Sequence, residues 1–412
     1  MLIRNTLLLT ISHMLSRGSL IFSSVIISSL MDKEQFSIYS YFILTTTTIS
    51  IYSALGIGIT TNKFFSSLKK ELNLETPVMT LWIINISLAI LGGVIFTLLS
   101  EQIIPKSINF NKNYFAIVIL FLCLDIYTSN ALIGLGEYIK LCITSLLFFC
   151  INIIMVVIAI LNNNIDYAIL GLISGVIVQL IFNTVFVLRY LSSIQLLEKV
   201  NIKIAHLKEI LKTMGPMMFV SLFAASNTWI VSQYILVSNR ESALEFNLFS
   251  IGLQWFSLAL FLPSVFSRVL LNYFISHTHS NSLVIAKRNI ALILSLFLLL
   301  TFVSYIASPI IQGIYSRYTI PAILIPLFLF IAGINSSTNI LGNILISQNQ
   351  EWVWLIFVTI GFLLLNILCA LIKEIDSMTG TVIMLINNIL IFSLSLFYLF
   401  VYKKPHKEEI KI

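Results

Sequence analysis

Twelve mostly apolar stretches, each about twenty residues or longer, follow one another along this 412-residue chain, separated by short polar gaps. A hydrocarbon layer about 30 Å thick is crossed by roughly 20 residues of α-helix rising 1.5 Å per residue. One such run can be buried in a soluble core, but twelve cannot. Composition agrees, because only 10% of the residues are charged and 58% are hydrophobic, whereas soluble domains carry about 25% charged residues. Soluble enzymes, nucleic-acid-binding modules, disordered tails and secreted disulfide scaffolds are excluded. A membrane barrel would show alternating segments of about ten residues. The chain reads as an all-α polytopic membrane protein.

The spans are expected at 7–30, 36–59, 77–100, 114–133, 141–161, 167–188, 214–237, 246–267, 289–309, 321–345, 352–372 and 378–402. Arg4 and the apolar residues after it imitate a secretory signal. The run is longer than a signal core of about 7–15 residues and no small-x-small cleavage site follows, so it is read as a retained first span. The four cysteines (Cys123, Cys142, Cys150, Cys369) lie in apolar segments without metal or redox spacing. They read as small hydrophobes, and no cofactor or metal is expected.

The net charge of +7 does not indicate nucleic acid, because the basic residues sit in short gaps and form no solvated basic face. They read as topogenic charge. With the N-terminus in the cytoplasm, seventeen Lys and Arg fall on the inside and six on the outside, and Arg17 is inside a span. That asymmetry predicts two cytoplasmic termini. The outer connections, none longer than roughly a dozen residues, leave no room for a folded outer domain.

The longest inner connection, 189–212, lies near the midpoint and holds an amphipathic pattern (Ile202, Leu207, Ile210, Leu211). The expected organisation is an N-terminal six-helix bundle (1–188), a cytoplasmic linker (189–212), a C-terminal six-helix bundle (213–402) and a cytoplasmic tail (403–412). An internal match supports duplication: Gln35-Phe36-Ser37-Ile38-Tyr39-Ser40 and Glu245-Phe246-Asn247-Leu248-Phe249-Ser250 stand 210 residues apart and both open apolar spans. Six spans per half keep both halves in the same orientation, a parallel repeat.

Several segments resemble the Wzx-type polysaccharide flippases of the multidrug/oligosaccharidyl-lipid/polysaccharide exporter superfamily. They are Arg4-Asn5-Thr6-Leu7 with Met31-Asp32-Lys33-Glu34-Gln35-Phe36-Ser37-Ile38-Tyr39-Ser40, then Leu132-Ile133-Gly134-Leu135-Gly136-Glu137-Tyr138, Leu262-Pro263-Ser264-Val265-Phe266, and Ser308-Pro309-Ile310-Ile311-Gln312-Gly313-Ile314-Tyr315. The third resembles the Pro-marked end of span 8, and the last the outer end of span 9. The resemblance implies two six-helix bundles in a V around a central cavity, working by alternating access in a bacterial inner membrane. It also implies the cargo, an O-antigen or similar oligosaccharide on a polyprenyl pyrophosphate. A polysaccharide polymerase and chain-length proteins would be the neighbouring partners, besides membrane lipid. Relatives often display several cavity cations, whereas here one Arg is clearly intramembrane.

That residue, Arg17, lies about ten residues into span 1, roughly 15 Å deep. An unpaired cation there costs at least about 2.5–3.5 kcal/mol, so it should face protein or a water-filled cavity. His13, four residues earlier, shares its face, and the two could cradle a pyrophosphate. Alternatively Arg17 neutralises Asp125 of span 4 as a static clamp, and His13 is a core imidazole. Asp125 reads either as a carboxylate that exchanges protons during transport or as that clamp's permanent partner. Asn227, Trp229, Gln233, Gln254 and Trp255 in spans 7 and 8, Asn335, Asn339 and Asn343 in span 10, and Asn387 and Asn388 in span 12 either line a sugar path or join helices. Of these, Asn227, Gln233, Gln254 and Trp255 are taken with Arg17 and His13 as candidate cargo contacts. Trp352 and Trp354 read as interfacial anchors.

The expected function is therefore a flippase without bond chemistry. The alternatives are a drug or cation exporter of the same superfamily, and a membrane-embedded polymerase or ligase. Drug exporters favour acidic cavities, while span 1 presents Arg17 and His13. Polymerases and ligases usually carry a long outer loop, which is missing here. No Gly-rich loop ends in Gly-Lys-Ser/Thr, so an ion gradient or the cargo gradient must drive the cycle.

Overall fold

The computed structural model describes all residues except 1, 69–77, 106, 107, 109, 110, 194–203, 239–241, 277, 278, 349 and 403–412. Among the described residues there are fourteen α-helices, a π-helical turn at Tyr398–Tyr402 and no strand. The helices are α1 (Leu2–Leu30), α2 (Lys33–Ala54), α3 (Ile57–Leu68), α4 (Val78–Ile103), α5 (Lys112–Leu135), α6 (Tyr138–Leu161), α7 (Asp166–Ser193), α8 (Ile204–Ser238), α9 (Ser242–Ser276), α10 (His279–Ile306), α11 (Ser308–Ile314), α12 (Leu324–Ser347), α13 (Glu351–Leu371) and α14 (Ser377–Phe397). Eleven are long and apolar enough to cross a membrane, and α2 with α3 supplies a twelfth span as a bent pair. In hydrocarbon every backbone polar group must be satisfied within its own segment, which selects helices. The apolar side chains face outward as well as inward. Leu292, Leu296, Leu299, Phe302, Val303 and Ile306 of α10 are all exposed, as lipid-covered surface should be.

One expectation is corrected. The span at 36–59 is not one helix. It breaks at Leu55 and Gly56, both with positive φ (44° and 74°), and α3 leaves α2 at 57°. Gly56 also permits a close approach, since a Cβ there would stand 3.3 Å from the backbone N of Met218. Pro263 lies inside α9. The expected linker 189–212 is helical at both described ends, where α7 runs on to Ser193 and α8 begins at Ile204. Its middle, and the tail 403–412, lie outside the described residues.

The chain packs as two compact units, Met1–Trp229 with Glu241–Asn247, and Ile230–Arg240 with Leu248–Ile412. In the first, α5 is the hub, in contact with α2, α3, α4, α6 and α7. In the second the hub is α12, in contact with α10, α13 and α14 and buried along most of its length. These are the fourth and tenth spans, six apart. Each hub packs on the span before it (α4, α10) and on the two after it (α6 and α7, α13 and α14), and those two also pack on each other. That is the pattern a parallel repeat requires. A further match at the same offset opens the last span of each half, Ile165-Asp166 and Ile375-Asp376; the Asp376 carboxylate caps α14 by accepting from the Thr379 N–H at 2.7 Å.

Within the first unit the two segments matched at offset 210 touch each other. The Ser37 hydroxyl donates to Asn247 Oδ1 at 2.8 Å, and Asn247 Nδ2 donates to the Lys33 carbonyl at 2.9 Å. The Tyr41 and Phe246 rings meet edge-on at 6.1 Å. Asn247 is fully buried, so both halves of its amide are used where no water can replace them.

Candidate functional site

Helix α1 presents three faces. Ser12, Ser19 and Ser23 point at α6, where the Ser12 and Ser145 hydroxyls are hydrogen-bonded at 2.8 Å. Asn152 Nδ2 donates to Ser19 and Ser23 at 2.7 and 2.8 Å. Leu7, Ile11, Met14 and Phe22 form an exposed apolar face. Between the two runs a third strip at helical spacing, which carries His13, Arg17, Ser24 and Ser28. His13 is half-buried and Arg17 exposed. Among the described residues the Arg17 guanidinium has neither an ion-pair nor a hydrogen-bond partner.

The expected alternative, a static pair of Arg17 with Asp125, is therefore not what the structure contains. Asp125 is held by neutral groups instead. Its Oδ1 accepts from Asn183 Nδ2 of α7 at 2.8 Å and from the Thr128 hydroxyl at 3.2 Å. Asn183 is fully buried and its own Oδ1 has no partner. This carboxylate sits on the hub of the first unit, tied to the last helix of that half.

The amides and indoles of α8 and α9 separate into two groups. Trp229 Nε1 donates to the Thr45 hydroxyl at 3.3 Å, and the Tyr52 hydroxyl bonds that of Ser226, so these staple α8 to α2. Asn227, between them, keeps a buried Oδ1 without a partner; Gln233, further along α8 and already in the second unit, is half-buried. In the second unit Gln254 Oε1 accepts from the Tyr315 hydroxyl at 3.1 Å, while Gln254 Nε2 and Trp255 Nε1 are buried donors without acceptors. Of the span 10 amides, one joins two helices and two pair along their own helix. Asn343 donates to the Ser267 carbonyl and hydroxyl at 2.8 and 2.7 Å, and Asn339 bonds Asn335 along α12 at 3.0 Å. In α14, Asn388 donates to the Met384 carbonyl at 2.8 Å, whereas fully buried Asn387 has both polar atoms unpartnered. Trp352 is exposed as an anchor should be, but Trp354 is buried with its ring against Gly342, a packing residue. No three His, Cys, Asp or Glu side chains converge among the described residues.

No family model and no curated protein matches the chain. Solved structures do. A multidrug resistance MATE-family transporter of the MOP superfamily, in its inward-facing conformation, superposes with a TM-score of 0.74 at 11% identity, over 94% of this chain and 93% of that one. The fold is that of the MATE transporters. An outward-facing MATE-family transporter superposes with a TM-score of 0.70 at 11% identity, over 96% and 94% of the two chains. A Vibrio cholerae MATE transporter gives 0.66 at 15% identity, over 97% and 95%. The likeness covers nearly all of both chains in each case. Within that MATE-type fold, sequence reasoning had singled out Asp125 but not its partner Asn183, nor Asn152, nor Tyr315. The first two were visible as lone amides in apolar helices, a signal shared by every intramembrane polar residue here. Tyr315 was legible only as the last residue of the segment 308–315, because a tyrosine between two apolar spans is ordinary.

Proposed function

We propose that this chain is an alternating-access transporter, and specifically a flippase that carries a polyprenyl-pyrophosphate-linked oligosaccharide from the cytoplasmic to the outer leaflet of a bacterial inner membrane. Arg17 carries the reading. A guanidinium stays protonated in any protein environment, and at mid-span its cost is offset by a counter-charge or by water. With no carboxylate beside it among the described residues, a pyrophosphate head group is the counter-charge that suits its fork of donors. Both termini are assigned to the cytoplasm from the distribution of Lys and Arg, and Asp125 is assigned to ion coupling. No bond chemistry is assigned.

A second reading, export of drugs or organic cations, is supported by the comparisons better than the flippase is, because the matching structures are MATE transporters and two of them are described as multidrug resistance proteins. Asp125, not neutralised by any cation, would then be the acidic group. The sign of the charge on α1 supports the flippase. The test is complementation of a flippase-null strain, scored by polysaccharide ladder with membrane protein quantified, beside drug susceptibility of an exporter-deficient strain. Arg17→Ala and Arg17→Glu should lose the ladder at normal protein level, while Arg17→Lys keeps part of it. Full ladders from Arg17→Ala would remove the cation from cargo handling, and drug resistance without any ladder would establish the exporter.

A further inference from the structure

We propose that the α10–α12 connection is a displaceable plug, in which the Tyr315 hydroxyl occupies a sugar-hydroxyl subsite formed by Gln254 and Trp255. The inference rests on the carbohydrate-cargo reading and extends it to a residue outside the helices.

The connection is internally braced. Gln312, on α11, donates from Nε2 to the Tyr318 carbonyl and accepts at Oε1 from the Ile320 N–H at 2.9 Å. One side chain thus ties the segment 312–320 into a closed loop that can move as a piece. Its underside is Ile311, Tyr315 and Tyr318, all buried, while Ile310, Ile314 and Ile323 face outward. The Tyr315 hydroxyl ties the connection to a spanning helix by donating to Gln254 Oε1 at 3.1 Å. Burial pushes that hydroxyl up to about 12, an effect reduced by Trp255 beside it, so it remains a neutral donor at any physiological pH.

The receiving end is underused. Gln254 Nε2 and Trp255 Nε1 are buried N–H donors with no acceptor, although Trp255 lies next to the Tyr315 oxygen. Buried donors are ordinarily satisfied; the Tyr315 oxygen faces the Trp255 indole without completed hydrogen-bond geometry and leaves Gln254 Nε2 with no acceptor. A sugar ring offers what the site lacks: adjacent hydroxyls that accept from two N–H groups and donate to Gln254 Oε1, with an apolar face for the indole. Tyr315 is accordingly an internal stand-in for the cargo's hydroxyl. A glycan that satisfies both donors exchanges one hydrogen bond for several, and the braced loop leaves as a unit.

The test uses the full chain reconstituted in lipid nanodiscs and reads amide hydrogen exchange over 307–323. Three probes are compared: a polyprenyl pyrophosphate bearing a short glycan, the same carrier without the glycan, and tetraphenylphosphonium. The expected result is several-fold faster exchange of the loop with the glycan-bearing carrier alone. Tyr315→Phe, which keeps the ring and its packing, should bind that probe about five-fold more tightly, the size of one ordinary hydrogen bond removed from the competing closed state. Gln254→Leu and Trp255→Phe should abolish the glycan-dependent increase. Equal loosening by the bare carrier overturns the inference and leaves the flippase reading standing. Loosening by tetraphenylphosphonium alone overturns both. No loosening by any probe, or unchanged affinity in Tyr315→Phe, overturns the inference.

Discussion

If Asp125 is held by Asn183 and not by Arg17, a double-mutant cycle on each pair must give different coupling energies. Asp125 Oδ1 receives the Asn183 amide at 2.8 Å, and Asn183 has no other acceptor for Nδ2 and no donor for Oδ1. Asp125→Ala therefore leaves a fully buried amide without any partner, which costs about 1–3 kcal/mol. Asn183→Ala leaves the carboxylate with only the Thr128 hydroxyl at 3.2 Å. Hydrogen bonds to charged groups contribute about 1.5–3 kcal/mol in water-soluble proteins, whereas intramembrane pairs average about 0.6 with a maximum near 1.7. The expected Asp125–Asn183 coupling is thus about 1–2 kcal/mol. The Arg17–Asp125 cycle joins groups that make no contact, so the two changes should add within about 0.3–0.5 kcal/mol. The assay is unfolding of the purified protein in mixed micelles by increasing denaturing detergent, with wild type, singles and doubles of both pairs. An Arg17–Asp125 coupling above that of Asp125–Asn183 would show that the ion pair exists in the membrane and would refute the assignment.

Other consequences are simpler to read. Gly361→Ala should destabilise by about 1–3 kcal/mol, because its Cβ would stand 2.6 Å from Asn387 Oδ1 and from Ile391 inside the second unit; Gly18→Ala, with nothing within 4 Å, should be neutral or stabilising by about 0.5–1 kcal/mol, and the same unfolding assay checks both. At the break between α2 and α3, Gly56→Ala should lose roughly 1 kcal/mol, because it places a Cβ at φ 74° and 3.3 Å from the Met218 backbone N; a gain would show that the bend is not glycine-dependent. For the proposed orientation, exposed positions serve best: Asn163→Cys and Lys373→Cys in a Cys-free background should react with an impermeant maleimide in spheroplasts, and Ser66→Cys and Ser193→Cys only after lysis. The opposite pattern would invert the topology.

Span number and placement were legible because hydrocarbon thickness imposes a length on every crossing helix, so α4 to α7 begin and end within about five residues of the apolar runs. The repeat was legible from one six-residue match, and the hubs α5 and α12 show the same partners six spans apart. The break after Ala54 was not. Gly56 is one of sixteen glycines, and what makes it a turn is the backbone of Met218 packed against it, a contact far away in sequence. Pairing inside the membrane was equally hidden. Opposite charges invited a bond between Arg17 and Asp125, yet the nearest donor to Asp125 is an amide fifty-eight residues away. Charge sign says which groups attract, and only the packing of α5 on α7 says which meet.

Lipid tails are as apolar as leucine, so no hydrophobic force holds these helices together and polar side chains must act as glue. Glue is recognisable by completed bonds. Asn152, Asn247, Asn343 and Trp229 each join two helices within one unit through bonds of 2.7–3.3 Å. Asn387 completes none but is sealed with no exposure, so it meets nothing from outside. Among the described residues with unused bonding capacity are Arg17 and Asn227 in the first unit, and Gln254 and Trp255 in the second, the four that the cargo reading singles out. A group that cargo must satisfy contributes nothing to the empty fold, and glue contributes nothing to cargo, so the two sets should respond oppositely. Asn152→Ala, Asn247→Ala and Asn343→Ala should lower the amount of folded protein in the membrane by amounts that follow about 0.6–1.7 kcal/mol each, with transport per folded molecule retained. Arg17→Ala, Asn227→Ala, Gln254→Leu and Trp255→Phe should keep protein level and lose transport per molecule. Quantifying folded protein by fluorescence-detected size exclusion, beside polysaccharide display, separates them. If the second set loses folded protein as the first does, the unused bonds are satisfied by neighbours within the fold, and none of these four residues meets cargo.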